Sequence, residues 1–134
     1  MKIIVDTNVL VSGIFFSGPP YIILDAWRRN KVQFIISPDI FDEYTRVSHD
    51  LQKQFPAVNI DQFLELILLH SDMCFPAQLS KPVTQDPRDD MFIACALKSG
   101  TKIIISGDKH LLNVSGYKNI KVVNPSQFLK EYLG

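Results

Sequence analysis

The chain has 134 residues, 46% of them hydrophobic and 21% charged, with a mean hydropathy of +0.08. That balance describes one folded domain, residues 1–134, and excludes a disordered or fibrous chain. Lys plus Arg equal Asp plus Glu at 14 each, which excludes a protein drawn to polyanions by its net charge and leaves any nucleic-acid contact to a local patch.

In chain order, Ile3, Ile4 and Val5 form a first β-branched run, which ends on Asp6. Gly18, Pro19 and Pro20 start a helix over PYIILDAWRRN, whose basic end, Arg28 and Arg29, suits a helix C-terminus. VQFII at 32 to 36 is a second strand. Ser37 can then cap a helix with Pro38 at its first position, carrying the stripe Ile40, Tyr44, Val47 and Leu51 up to Pro56. Asp61 is expected to cap a third helix, QFLELILLH, and MCF at 73 to 75 is a candidate short strand. Pro76, Pro82 and Pro87 confine the next stretch to loop. MFIACALKSG is apolar nearly all round and stopped by Gly100, the pattern of a buried helix. KIII at 102 to 105 and IKVV at 120 to 123 add two strands, and PSQFLKEYL after Pro125 a final helix.

Most of these strand runs lack polar alternation, and the gaps between them have room for helices. The expected fold is a three-layer α/β/α sandwich with a central, mainly parallel sheet. Cys74 and Cys95 are too few for a disulfide framework or a zinc knuckle and read as reduced core residues. With no apolar run of signal-peptide or membrane-spanning length, a cytoplasmic protein without a membrane partner is expected.

In such folds ligands gather outside the carboxyl ends of the strands. Asp6 and Asp108 stand just past two strands and therefore on one rim. DPRDDMFIACAL puts Asp86, Asp89 and Asp90 at the entrance of the buried helix, beside that rim, and Glu43 borders the stripe of the second helix. Each acid has a plainer role open to it: Asp6 and Asp108 as caps or turn residues, Asp90 as a partner of the helix dipole, Glu43 as a solvated charge. Carboxylates converging on one point repel one another, however, and a hard divalent cation removes that conflict. Zinc is disfavoured, because His49, His70 and His110 are scattered; His110 alone stands near an acid of the set, two residues after Asp108.

IIVDTNVLVSG, the glutamate of FDEYTRV, the DMFIA of DDMFIACAL, and SGDKHLL, in that order and at those separations, resemble the four motifs of PIN domains over essentially the whole chain. Within that family they are similar to bacterial stand-alone PIN proteins of VapC-like toxin–antitoxin pairs. The resemblance implies that Asp6, Glu43, Asp90 and Asp108 bind Mg²⁺ (or Mn²⁺) and hydrolyse RNA phosphodiester bonds. It places Asn8 and Ser106 as supporting polar residues. Asp90 is preferred to Asp86 and Asp89 because the family's acid stands three residues before an Ile-Ala pair, here Ile93 and Ala94; Asp89 would assist through water. A homodimer and a silencing protein antitoxin are also implied.

RNA approaching an acidic pocket needs cations at its edge, and Arg46, Arg88 and Lys109 are the candidates. A phosphatase of the haloacid-dehalogenase type would need an aspartate where Asn8 stands, and a receiver domain one where Ser37 ends its strand. The remaining alternative to a ribonuclease is a catalytically idle PIN fold that binds RNA or protein. Lost acids would favour it, and here all four motif positions are filled.

Overall fold

β-branched runs without polar alternation can bury both faces only between helices, and the computed structural model, which describes residues 1–134, arranges them so. β1 (Lys2–Val5), β2 (Gln33–Ile36), β3 (Asp72–Met73), β4 (Ile103–Ile105) and β5 (Lys121–Val123) form one sheet in the order β3-β2-β1-β4-β5. Every pairing is parallel, with Ile4 opposite Ile104 and Val5 opposite Ile105 at the centre. The third strand is shorter than MCF and starts one residue earlier. Its ladder runs on by one bond, from Cys74 N to Ile36 O at 2.8 Å.

From β1 the chain steps outward through β2 to β3, then returns to the opposite side of β1 for β4 and β5. Strand order thus reverses between β1 and β4. In open parallel sheets the crevice at such a reversal, outside the carboxyl ends, is where ligands bind.

The helices are α1 (Thr7–Phe15), α2 (Pro19–Arg28), α3 (Pro38–Gln52), α4 (Ile60–Leu69), α5 (Asp90–Ser99), α6 (Lys109–Leu112) and α7 (Pro125–Phe128), the last widening into a turn over Leu129–Leu133. α2 and α3 begin at the expected prolines, and Ser37 Oγ accepts from Ile40 N at 3.3 Å. On α3 the buried row is Ile40, Tyr44 and Ser48, while Val47 and Leu51 are only half-buried. α4 starts before Asp61: Asn59 is its cap, accepting from Gln62 N at 3.2 Å. The fully buried Ile60 draws the helix start inward, and Asp61 in the first turn meets His49 Nε2 at 2.6 Å instead.

α1 and α2 cross at Gly13, where an added Cβ would lie 2.4 Å from Leu24 Cδ1 and 2.8 Å from Pro20 O. Only glycine permits that approach. Phe92 through Ala96 of α5 are buried, and Gly100 ends the helix in the left-handed region at φ 73°. The proline-rich stretch before it stays irregular until a 3₁₀ turn at Pro87–Asp89. Cys95 is buried and Cys74 half-buried; both thiols are free, their Sγ atoms 3.1 Å apart. No single helix is long and apolar enough to cross a membrane.

Candidate active site and metal centre

β1 and β4 end side by side, and the ladder fixes the residue that follows each. Asp6 N donates to Ile105 O, and Ser106 N to Val123 O, both at 2.9 Å. Ser106 Oγ donates to Asp6 Oδ2 at 2.7 Å and accepts from Asp108 N at 2.9 Å, joining the two acids through one hydroxyl. Asp108 caps α6 by accepting from His110 N at 2.9 Å. Asp6, by contrast, makes no side-chain cap for α1, so its carboxylate is left to the rim. The buried Tyr44 hydroxyl donates to Val5 O, which pins α3 to the end of β1 and brings the neighbouring Glu43 close enough for its charge to act on Asp6.

Asp6 is 4% exposed. Burial pushes its pKa up to about 6, the Asp108 and Glu43 charges add to the rise, and bonds from the Ser106 hydroxyl and the Thr7 N–H oppose it. Asp89 is 8% exposed and is pushed up to about 7, first by burial, then by the charge of Asp108, then by those of Asp6 and Asp86. Asp6 thus feels the charges of Asp108 and Glu43, and Asp89 those of Asp108 and Asp6, which sets the four acids around one rim.

Asp90 does not join them. Its Oδ1 accepts from Thr84 N at 2.8 Å, and both its oxygens lie 3.3 Å from Val83 N. It faces a separate cleft beside Ser37, Pro76 and Met91. The structure thus puts Asp89, expected only to assist, at the place expected for Asp90. Consecutive residues of a helical turn point about 100–120° apart, so only one of the pair can face the strand ends. The 3₁₀ turn before α5 decides which.

Among the supporting residues, Ser106 lies at the heart of the site and Asn8 is exposed on the first turn of α1. Arg46 and Lys109 are exposed. Arg88 is exposed too, but its guanidinium lies on Asp86 at 2.9 Å, which holds the Asp86 carboxyl below its ordinary range. Thr7, which sequence reasoning passed over, is 1% exposed with its Oγ1 lacking any partner. Its one sequence signal is its place directly after Asp6.

Two features fit this site to a divalent cation. Asp89 Oδ2 is buried without a donor, a costly condition for an acceptor unless something positive meets it. At the margin of the rim, Asp89 also lies with Asp86 and His110 in a group whose ligand atoms are all within 4.8 Å of one another. A donor set rich in carboxylate oxygen suits a hard divalent ion.

The family model for the PIN domain matches residues 2–110, from β1 to His110. No curated protein matches the chain.

Proposed function

The chain belongs to the PIN domain family, whose members are generally metal-dependent nucleases, and from that membership we propose that it is an endoribonuclease using Mg²⁺ or Mn²⁺ to hydrolyse RNA phosphodiester bonds. The observation that carries the reading is the convergence of Asp6, Glu43, Asp89 and Asp108 at the carboxyl ends of β1 and β4. Asp6, Asp89 and Asp108 would hold the cation, with Glu43 at its margin. When bound, such an ion activates water for attack on phosphorus and offsets charge on the leaving oxygen.

The protein's own groups do the rest. Ser106 donates to Asp6 Oδ2, and its contact to Asp108 N keeps the two acids in register. Tyr44 pins to Val5 O the turn of α3 that carries Glu43. Asp90 braces the 83–84 loop against the start of α5. Lys109 and Arg46 hold flanking phosphates, as does Arg88 when it leaves Asp86.

The finer part of the proposal is a toxin component that works as a homodimer and is silenced by a protein antitoxin. Its support is the likeness of the four motifs to VapC-like proteins, and a small open reading frame beside the gene would strengthen it. The test is incubation with mixed RNA and Mn²⁺, with and without EDTA, beside Asp6→Asn, Asp89→Asn and Asp90→Asn. Cleavage should vanish with EDTA and in the first two variants and survive in the third. Cleavage that persists in Asp6→Asn would mark a contaminant, and inertness on every RNA tried would leave a binding module.

A further inference from the structure

The segment 75–94 is proline-rich in its first half and enters α5 in its last residues, and it is tied to the body of the fold mainly at its two ends. Cys74 N–H, just before it, donates to Ile36 O at 2.8 Å. From there to the 3₁₀ turn the only backbone donors engaged are those of Val83 and Thr84, and both go to Asp90 within the same segment. Leu79 and Val83 add packing against the core. The residues that bound this segment are the two cysteines. Their Sγ atoms stand 3.1 Å apart, and Cys74 Sγ also lies 3.8 Å from Cys95 O. A disulfide bond of about 2.05 Å asks the sulfurs to close by only about 1 Å.

The two thiols differ in access. Cys74 is half-buried and Cys95 is 0% exposed. Burial first, and then the neighbouring Cys74, pushes the Cys95 thiol well above its ordinary range. A small oxidant therefore meets Cys74 first, while Cys95 stands in contact as the resolving thiol. We propose that Cys74 and Cys95 form a peroxide-reactive pair whose disulfide staples the 75–94 segment at both ends. The Cys74 thiolate attacks one oxygen of hydrogen peroxide, the O–O bond breaks, and a sulfenic acid forms with release of hydroxide, which takes up the proton that Cys74 has lost. Cys95 Sγ then attacks the Cys74 sulfur, the S–O bond breaks, and the hydroxyl leaves with the Cys95 proton as water. Two electrons pass from the sulfurs to the peroxide, whose oxygens end as two waters. The inference stands on the thiol pair alone and is independent of the nuclease reading.

The experiment treats the reduced native chain with equimolar hydrogen peroxide and follows free thiols, intact mass and thermal unfolding. Both thiols should disappear together with a mass loss of two hydrogens, the chain should stay monomeric on a non-reducing gel, and a peptide map should hold one cross-link joining Cys74 to Cys95. The thermal midpoint should rise by at least about 5 °C and fall back on reduction, because the bond restricts the unfolded chain. In Cys95→Ala the reaction should stop at a Cys74 sulfenic acid, trapped by dimedone. In Cys74→Ala the buried Cys95 should react at least about tenfold more slowly than Cys74 does in Cys95→Ala. Should Cys95→Ala unfold, the peptide map of the native chain decides alone.

Thiols that survive the peroxide, or a disulfide that joins two chains instead of closing one, would overturn the pair. Equal reactivity of the two single cysteines would overturn the order of attack. A Cys74–Cys95 bond that leaves the thermal midpoint unchanged would overturn the staple.

Discussion

The strand-end half of the site and the loop-and-helix half hold their acids by different means. At β1 and β4 the parallel ladder continues past the last strand residue, so Asp6 and Ser106 are fixed by the same bonds that fix the sheet. At the mouth of α5 no ladder exists. There the Val83 and Thr84 N–H groups engage Asp90 and leave its neighbour Asp89 to the rim. The Asp90 carboxylate is held by two backbone donors, whereas Asp89 Oδ2 is buried with none, and that difference separates the neighbours.

Activity gives the largest expected break between the neighbours. Asp89→Asn and Asp6→Asn should each lower RNA cleavage at least about a hundredfold, and Asp90→Asn less than about tenfold, in single-turnover assays at saturating Mn²⁺. The opposite ranking would return the site to Asp90 and sink the division drawn above. Stability should rank the pair the other way. Asp90→Ala strands the N–H groups of Val83 and Thr84 and should cost about 1–3 kcal/mol by urea unfolding, whereas Asp89→Ala in metal-free protein should cost less, because it also relieves crowding with Asp6 and Asp108.

The pH dependence sharpens the same contrast. Asp6 and Asp89 titrate near 6 and 7 in the fold against 3.8 in the unfolded chain. The native state therefore binds more protons between about pH 4 and pH 7, and metal-free stability falls as pH rises through that window. Thermal unfolding in EDTA should drop by a few degrees from pH 5 to pH 7.5, and saturating Mn²⁺ should restore it. A flat profile would mean that these two carboxyls are not held apart from solvent. Asp89→Asn should shrink the slope.

The smallest effect is expected within the strand-end half. Ser106→Ala removes one bond to Asp6 and one from Asp108 N, costing about 1 kcal/mol and about tenfold in cation affinity measured by calorimetry. No change in affinity would show that the ladder alone orients Asp6.

How much of this could be read from the chain differs between the halves in the same way. The β-branched runs, the prolines at the starts of α2 and α3, the Ser37 cap and Gly100 are local signals, and each appears where it was expected. Asp6 and Asp108 were legible because a position just past a strand end has one direction to face in a parallel sheet. The cap of α4 was misplaced because Asn59 and Asp61 are both competent caps, and the burial of Ile60 chose between them. α6 is only four residues long, too short to show a period.

The sequence by itself determined the layered architecture, the rim on which the acids gather and the identity of most of them, because those follow from hydrophobic period and strand position. Only the tertiary structure decided between Asp89 and Asp90, exposed the partnerless Thr7, and set His110 beside Asp86. Those outcomes depend on which backbone N–H groups a proline-rich loop presents and on how far one turn rotates before α5. Neither leaves a trace in residue spacing.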